Sequence, residues 1–151
     1  MTTARVHPDR RALVLGAAAW VVVRPAVADD AQLQAAVRDF AEGAPVRPGK
    51  VQVDIAPLVE NGNAVPIAVD VASPMTESDH VTDIALFNER NPERNVAVFH
   101  LGPRCGRAHV ATRMRLATSQ KLVAVARMND GSHWSATVDV VVTLAGCIEG
   151  S

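Results

Sequence analysis

Tyrosine is absent from this 151-residue chain, aromatic residues make up 3%, and there are two cysteines. A core with so few rings has to be built from Val, Ile, Leu, Ala and Met, with Trp134 as its expected large anchor. Two cysteines exclude a small scaffold stapled by many disulfides. Lysine and arginine are scattered and the net charge is −1, so the basic footprint of a nucleic-acid partner is missing. The longest uncharged apolar run, Ala12 to Val23, is too short to span a bilayer, and no membrane partner is expected. Asn61-Gly62-Asn63 has no phosphate-loop pattern. No Ser-His-Asp constellation and no convincing pair of carboxylates stands out. The chain does not read as an enzyme by itself, and no cofactor is implied.

What is present begins with an address. Arg10-Arg11 precede the apolar run, and Arg24-Pro25 and Ala26-Val27-Ala28 follow it. A basic start, a short apolar stretch and an A-x-A site make an export signal. The adjacent arginines point to the twin-arginine route, which carries folded cargo. Residues 1–28 are therefore expected to be a signal peptide, cleaved after Ala28, with the periplasm as destination. An ordinary N-terminal helix would leave Pro25 and the A-x-A site as coincidences.

The expected mature chain opens with a helix over Asp29 to Glu42, where Leu33, Ala36, Val37 and Phe40 recur at helical spacing. The acidic pair Asp29-Asp30 suits a helix N-terminus. Ala44 to Gly49 holds two prolines and a glycine and reads as a linker, so residues 29–49 form a helix and linker. From Lys50 the pattern alternates with a period of two. Val51, Val53 and Ile55 form one run, and Val65, Ile67, Val69 and Val71 another, with Pro66 marking an edge. Later runs cover His80 to Asn88, Arg94 to Leu101, His109 to Thr118, Lys121 to Asn129 and Ser132 to Leu144. Glu60-Asn61-Gly62-Asn63 and Asn91-Pro92 read as turns, and Asp130-Gly131 as a hairpin turn. About seven short strands separated by turns predict an antiparallel β-sandwich over residues 50–144.

The last strand is the longest. Trp134, Ala136, Val138, Val140, Val142 and Leu144 share one face, which predicts a half-buried strand. It runs into a tail, residues 145–151, that carries Cys147 between Gly146 and Ile148. Free cysteine is usually buried packing material, so a thiol on a glycine-flanked terminus calls for a chemical role. Cys105 lies in a loop between Gly102-Pro103-Arg104 and Gly106-Arg107. It is a possible secondary thiol, a disulfide partner for Cys147 in an oxidising compartment, or a buried spectator. Cys105, His109 and Met114 have the C-x3-H-x4-M spacing of a copper loop. However, His109 and Met114 would point to opposite faces of a continuous strand. No metal site is expected, and His80, His100 and His133 read as exposed or strand-surface residues.

Several stretches together resemble the SoxY family, sulfur carrier subunits of bacterial thiosulfate-oxidising (Sox) systems. Val59-Glu60-Asn61-Gly62-Asn63-Ala64-Val65-Pro66-Ile67 is similar to an E-N-G-x-x-V-P stretch. Asn91-Pro92 is similar to an N-P turn, and Thr112 to Gln120 to a T-R-[IM]-[KR]-[LM]-A strand. Asp130-Gly131 and Val142-Thr143-Leu144-Ala145-Gly146-Cys147 resemble the closing hairpin and the V-T-[IL]-G-G-C terminus. The resemblance implies an immunoglobulin-like β-sandwich preceded by one helix. It implies a heterodimer with a SoxZ-like subunit, and covalent attachment of sulfur intermediates at Cys147. It further implies three enzymes that act on the bound group: a haem-containing conjugating enzyme, a sulfate-releasing hydrolase and a sulfane dehydrogenase. The carrier itself catalyses nothing. The alternative is a non-carrying adaptor with a Cys105–Cys147 disulfide. The family terminus G-G-C-G-G is replaced here by Ala145-Gly146-Cys147-Ile148-Glu149-Gly150-Ser151, which puts a β-branched side chain and a carboxylate beside the thiol.

Overall fold

The computed structural model describes residues 25–146, with side chains from Asp29 onward. Among these residues there are one α-helix and nine strands. In chain order they are α1 (Pro25–Phe40), β1 (Val46–Pro48), β2 (Val51–Asp54), β3 (Leu58–Asn61), β4 (Val65–Val71), β5 (Val81–Asn88), β6 (Asn95–His100), β7 (His109–Met114), β8 (Gln120–Met128) and β9 (His133–Leu144). A short 3-10 turn, Pro103–Cys105, joins β6 to β7. The strands form a six-stranded sheet, β1-β9-β8-β5-β6 with β3 also on β9, and a three-stranded sheet, β2-β4-β7. The chain is a mainly β, immunoglobulin-like sandwich with its helix at the N-terminal side. Most of the expected signal peptide, residues 1–24, and the tail beyond Gly146 lie outside the described residues.

The centre of the larger sheet, β5 and β8, is buried on both faces over most of its length, and the sequence of these strands shows why. In β5 and β8, alternate residues Ile84, Leu86, Leu122, Ala124, Ala126 and Met128 enter the core between the sheets. The residues between them, Ala85, Phe87, Val123 and Val125, pack under Leu33 and Val37 of α1. A strand apolar at every position needs cover on both sides, and the amphipathic helix supplies the second cover. Each fully buried Leu or Phe contributes about 1.5–3 kcal/mol. In the smaller sheet the alternation is clean: β4 buries Val65, Ile67, Val69 and Val71 and turns Pro66 outward.

Four expectations change. The helix starts at Pro25, so Asp29 and Asp30 fall outside its first turn. Asp29 instead forms an ion pair with Arg94 at 3.0 Å, and Gln32 Oε1 accepts from the same guanidinium. Residues 46–48, read as linker, form a strand, and the segment from Leu58 to Asn61 forms another. Both pair with β9 in parallel, which raises the strand count to nine and makes the sandwich not wholly antiparallel. The physical reason is length: β9 outruns β8, and two short segments cover its free edge, with Pro48 tolerated there because an edge strand can spare a donor. Finally, Trp134 is only partly buried against the core. Lys50 and Arg47 lie over its ring at 5.1 and 5.9 Å, an amphipathic cover for a ring at the rim. Phe87, 1% exposed, is the large core anchor.

Candidate functional site: the root of the C-terminal tail

β8 and β9 pair from Arg127↔His133 up to Gln120↔Val140. The last four residues of β9, Val141 to Leu144, continue past that point with β3 alongside: Leu58↔Val141, Val59↔Val142, Asn61↔Leu144. The strand thus continues as a post flanked by β3 and by the segment 116–119. Side chains brace it. Ser119 Oγ accepts from the Val142 amide at 2.9 Å, and Thr143 Oγ1 donates to the Glu60 carbonyl at 3.1 Å.

At the top of the post three backbone segments interlock. The Gly62 amide donates to Leu144 O at 2.9 Å, the Leu116 amide to Gly62 O at 2.8 Å, and the Gly146 amide to Leu116 O at 2.9 Å. Glycine is required here for closeness, not for a left-handed dihedral. A Cβ on Gly62 would lie 2.3 Å from Leu116 O and 2.7 Å from Gly146 N. One on Gly146 would lie 2.7 Å from Gly62 O. Both glycines are buried.

Asn91 fixes the third segment. Its Nδ2 donates to Arg115 O at 2.8 Å, and its Oδ1 accepts from the Ala117 amide at 3.0 Å and from Gln120 Nε2 at 2.9 Å. Asn88 Oδ1 in turn takes the Asn91 amide at 2.9 Å, and Gln120 Oε1 takes the Arg90 amide at 2.8 Å. Buried polar groups are satisfied one by one, which makes the loop rigid. Glu60 to Asn63, Asn91-Pro92, Leu116 to Gln120 and the chain up to Gly146 read as separate turns and strand ends in the sequence. The structure brings them together around one point. The signal that could have joined them was their common glycine and asparagine content at turns, which says nothing of where the turns meet.

Cys147, the expected attachment residue, follows Gly146 and lies outside the described residues. Cys105 is described: it is a free, exposed thiol in the turn after β6, and its Sγ accepts from the Gly102 amide at 3.5 Å. It belongs to the other end of the sandwich. Its turn leads into His109, which pairs with Asp70, whereas Met114 pairs with Val65 on the tail side. The five residue steps of β7 between those two pairs span about 17 Å. Near Cys105, Asp70 receives His109 Nδ1 at 3.1 Å and Arg107 at 2.6 Å. The hydrogen bond from His109, with the charge of Arg107, holds the Asp70 carboxyl below its ordinary range.

His109 is exposed and Met114 buried, on opposite faces of β7. Among the described residues no cluster of His, Cys, Asp and Glu is placed to hold a metal ion. His100 is exposed and paired with Asp83, and His80 is half-buried with its Nδ1 3.0 Å from Thr76 O. His133 departs from the surface reading. It is 5% exposed, stands edge-on to Phe40, and its Nε2 accepts from Arg127 Nε at 3.2 Å. Its place opposite Arg127, under the end of α1, buries it. Burial and then the Arg127 charge lower its pKa. Leu144 also departs: read as core-facing, it is 62% exposed, although its carbonyl is tied to the buried Gly62. Leu58 and Val141 are exposed beside it, so the post carries an apolar rim.

The family profile for sulfur oxidation protein SoxY matches residues 37–147. The sulfur carrier protein SoxY from Chlorobium limicola f thiosulfatophilum superposes with a TM-score of 0.65 at 28% identity, covering 76% of this chain and 94% of that one. Superoxide reductases share the fold at lower identity. The neelaredoxin of Ignicoccus hospitalis has a TM-score of 0.56 at 20% identity, covering 69% of this chain and 91% of that one. The enzyme of Nanoarchaeum equitans has a TM-score of 0.55 at 13%, covering 64% and 100%. Among curated protein sequences nothing matches significantly. The profile spans the sandwich, every segment of the interlock and the cysteine that follows it: the chain belongs to the SoxY family.

Proposed function

We propose that this protein is a periplasmic sulfur carrier that holds sulfur intermediates covalently on Cys147 and presents them to partner enzymes. The observation that carries the reading is the interlock of Gly62, Leu116 and Gly146 at the end of β9, one residue before the cysteine in sequence. A thiol that must enter another protein's cleft needs a stiff mount and little bulk around it. The resemblance of the solved sulfur carrier supports the same role.

The chemistry balances as follows. The Cys147 thiolate and thiosulfate join through a new S–S bond to give Cys–S–S–SO3⁻. This is a two-electron oxidation, and the haem-containing partner takes the electrons. Water then cleaves the S–SO3 bond, releasing sulfate and a proton and leaving Cys–S–SH. A sulfane dehydrogenase oxidises the remaining sulfane sulfur. The carrier supplies the nucleophile and the enzymes supply the catalysis. A SoxZ-like subunit completes the heterodimer, and export by the twin-arginine route brings the folded chain to the periplasm. The adaptor reading, with a Cys105–Cys147 disulfide, is weakened by the free Cys105 at the opposite end. Bridged cysteines need Cα atoms within about 7 Å.

The test is the intact mass of protein taken from the periplasm of cells oxidising thiosulfate. Adducts in steps of sulfur or thiosulfonate, mapped to Cys147 and removed by dithiothreitol, are expected. A Cys147→Ser strain that oxidises thiosulfate at the normal rate would overturn carriage in that pathway.

A further inference from the structure

We propose that the groove between β3 and the first half of β4 docks an extended segment of a partner protein, one that carries a lysine or arginine two residues from an apolar side chain and adds as a strand to the free edge of β3. The groove comes from a change of sheets. β2 pairs with β4 from Val51↔Val71 to Asp54↔Ala68. Beyond Asp54 the chain crosses to the other sheet, where β3 pairs with β9. Val65, Pro66 and Ile67 keep their partners on β7, but β2 has gone from their other side. The gap left between β3 and β4 is a groove of about 560 Å³. One edge of β3 is taken by β9, and among the described residues no strand pairs with the other. Free edges recruit strands unless they are covered or blunted by proline or lysine. β1, the other short strand on β9, carries Arg47 and Pro48. β3, Leu58-Val59-Glu60-Asn61, has neither a cation nor a proline. Its one charge is Glu60, which admits a basic strand and repels an acidic one.

The lining fixes the chemistry of the occupant. Ile55, Leu58, Ala64 and Pro66 give apolar surface, and the ionisable side chains that line the groove are two carboxylates, Asp54 and Glu60. Both are exposed, and among the described residues neither forms an ion pair. Arg113, the register partner of Pro66, does not line the groove. Leu58 and Glu60 are exposed on either side of the buried Val59, so they share the outer face of β3. An added strand brings alternate residues beside them: the one beside Leu58 is apolar and the one beside Glu60 basic. Leu58 has Val141 as its register partner on β9. These two and Leu144 are the exposed large hydrophobics among the described residues, and grouped apolar exposure of this kind marks an interaction surface. No cysteine takes part in this docking, so it stands apart from the carrier reading.

The test follows backbone amides of the isotope-labelled full chain by NMR as the peptide acetyl-Val-Lys-Val-Lys-Val-Lys-amide is added to millimolar concentration. The amides of Leu58, Glu60 and Ala64 are expected to shift, while those of Val123 and Val125 stay in place. The counterpart acetyl-Val-Glu-Val-Glu-Val-Glu-amide is expected to bind roughly tenfold more weakly. In a chain carrying Asp54→Lys and Glu60→Lys that preference should reverse. The lysine peptide methylated on its backbone nitrogens cannot donate to a strand ladder and should leave β3 unshifted. No shift with the lysine peptide, shifts on β6 or β7 in place of β3, equal binding of the two peptides, or undiminished binding after methylation would overturn the proposal. If the double variant moves Val123 and Val125 before any peptide is added, the two peptides on the wild-type chain decide.

Discussion

At the end where β9 outruns β8, the root of the tail is held by backbone amides, two asparagines, a glutamine and a serine, with the Glu89–Arg90 and Arg94–Asp29 ion pairs beside them. At the opposite end, where β7 begins and the β8–β9 hairpin turns, the contacts are ionic. Asp70 meets Arg107 and His109, Asp83 meets His100, and Arg127 meets Glu42. The two ends behave differently for that reason. Neutral hydrogen bonds are insensitive to salt and to moderate changes of pH. Exposed ion pairs are weak and screened, typically worth about 0–1 kcal/mol. In the proposed carrier role, a thiol that meets anionic sulfur species is well served by a root whose own backbone ties are of the first kind. The ionic end is free of that demand.

The two cysteines sharpen the comparison most: Cys105 lies at the ionic end, and Cys147 follows Gly146 in sequence. Cys147→Ser is expected to abolish the covalent adduct and thiosulfate-dependent growth, whereas Cys105→Ser leaves both near wild type. Intact mass and growth of complemented strains check this, and a loss of adduct in the Cys105 variant would break the contrast. Next come two glycines. Gly62→Ala forces a Cβ against Leu116 O and Gly146 N, and such overpacking is expected to cost about 1–3 kcal/mol. Gly131 has a positive φ of 81° with open space around it, so Gly131→Ala is expected to cost about 1 kcal/mol from dihedral strain alone. Urea unfolding gives both numbers, and only the first variant should also loosen Gly146. A third pair compares polar groups. Asn91→Ala removes the hydrogen bonds that Asn91 makes to Ala117 N, Arg115 O and Gln120 Nε2 and is expected to cost about 1–3 kcal/mol. Asp70→Asn removes exposed, solvent-screened charge pairs and is expected to shift the urea midpoint far less. Raising salt to 1 M should erase the second effect and leave the first.

The sandwich was legible because burial writes a period of two into the strands. The run from Val65 to Val71 and the doubly apolar β5 and β8 announce themselves, and so does the helix through Leu33 and Val37. The short strands β1 and β3 were not legible. Three or four residues carry no measurable period, and their pairing is decided by the free edge of β9, which no local pattern encodes. Trp134 misled because a large ring suggests a core, yet it comes one residue after the β8–β9 hairpin, beside Lys50. The site was half legible. Its glycines stood out, but the meeting of Gly62, Asn91, Leu116 and Gly146 joins segments as much as 84 residues apart, and only the packed chain brings them to one place.

The smallest expected effect separates the ends by pH. His133 is buried next to Arg127, with Phe40 against its ring and Glu42 and Asp83 as more distant carboxylates. Burial, then the Arg127 charge, lower its folded pKa below the ordinary value of 6.5. Between that lowered value and 6.5 the unfolded chain binds more protons than the folded one, so stability rises with pH across this window. The stabilisation held by neutral His133 is complete above about pH 6.5 and is lost as pH falls through the folded pKa. Protonation would set an imidazolium against the guanidinium that now donates to it, and that guanidinium also bonds Phe40 O at the end of α1. A His133→Gln variant keeps an acceptor for Arg127 but cannot titrate. Its urea midpoint should therefore fall less than that of wild type between pH 7.5 and pH 5. Exchange at Gly146, at the other end, should show no matching change beyond the intrinsic pH dependence of amide exchange. A wild-type midpoint no more pH-sensitive than the variant's would remove His133 as the cause, and a Gly146 protection factor that tracked it would mean that the two ends are coupled after all.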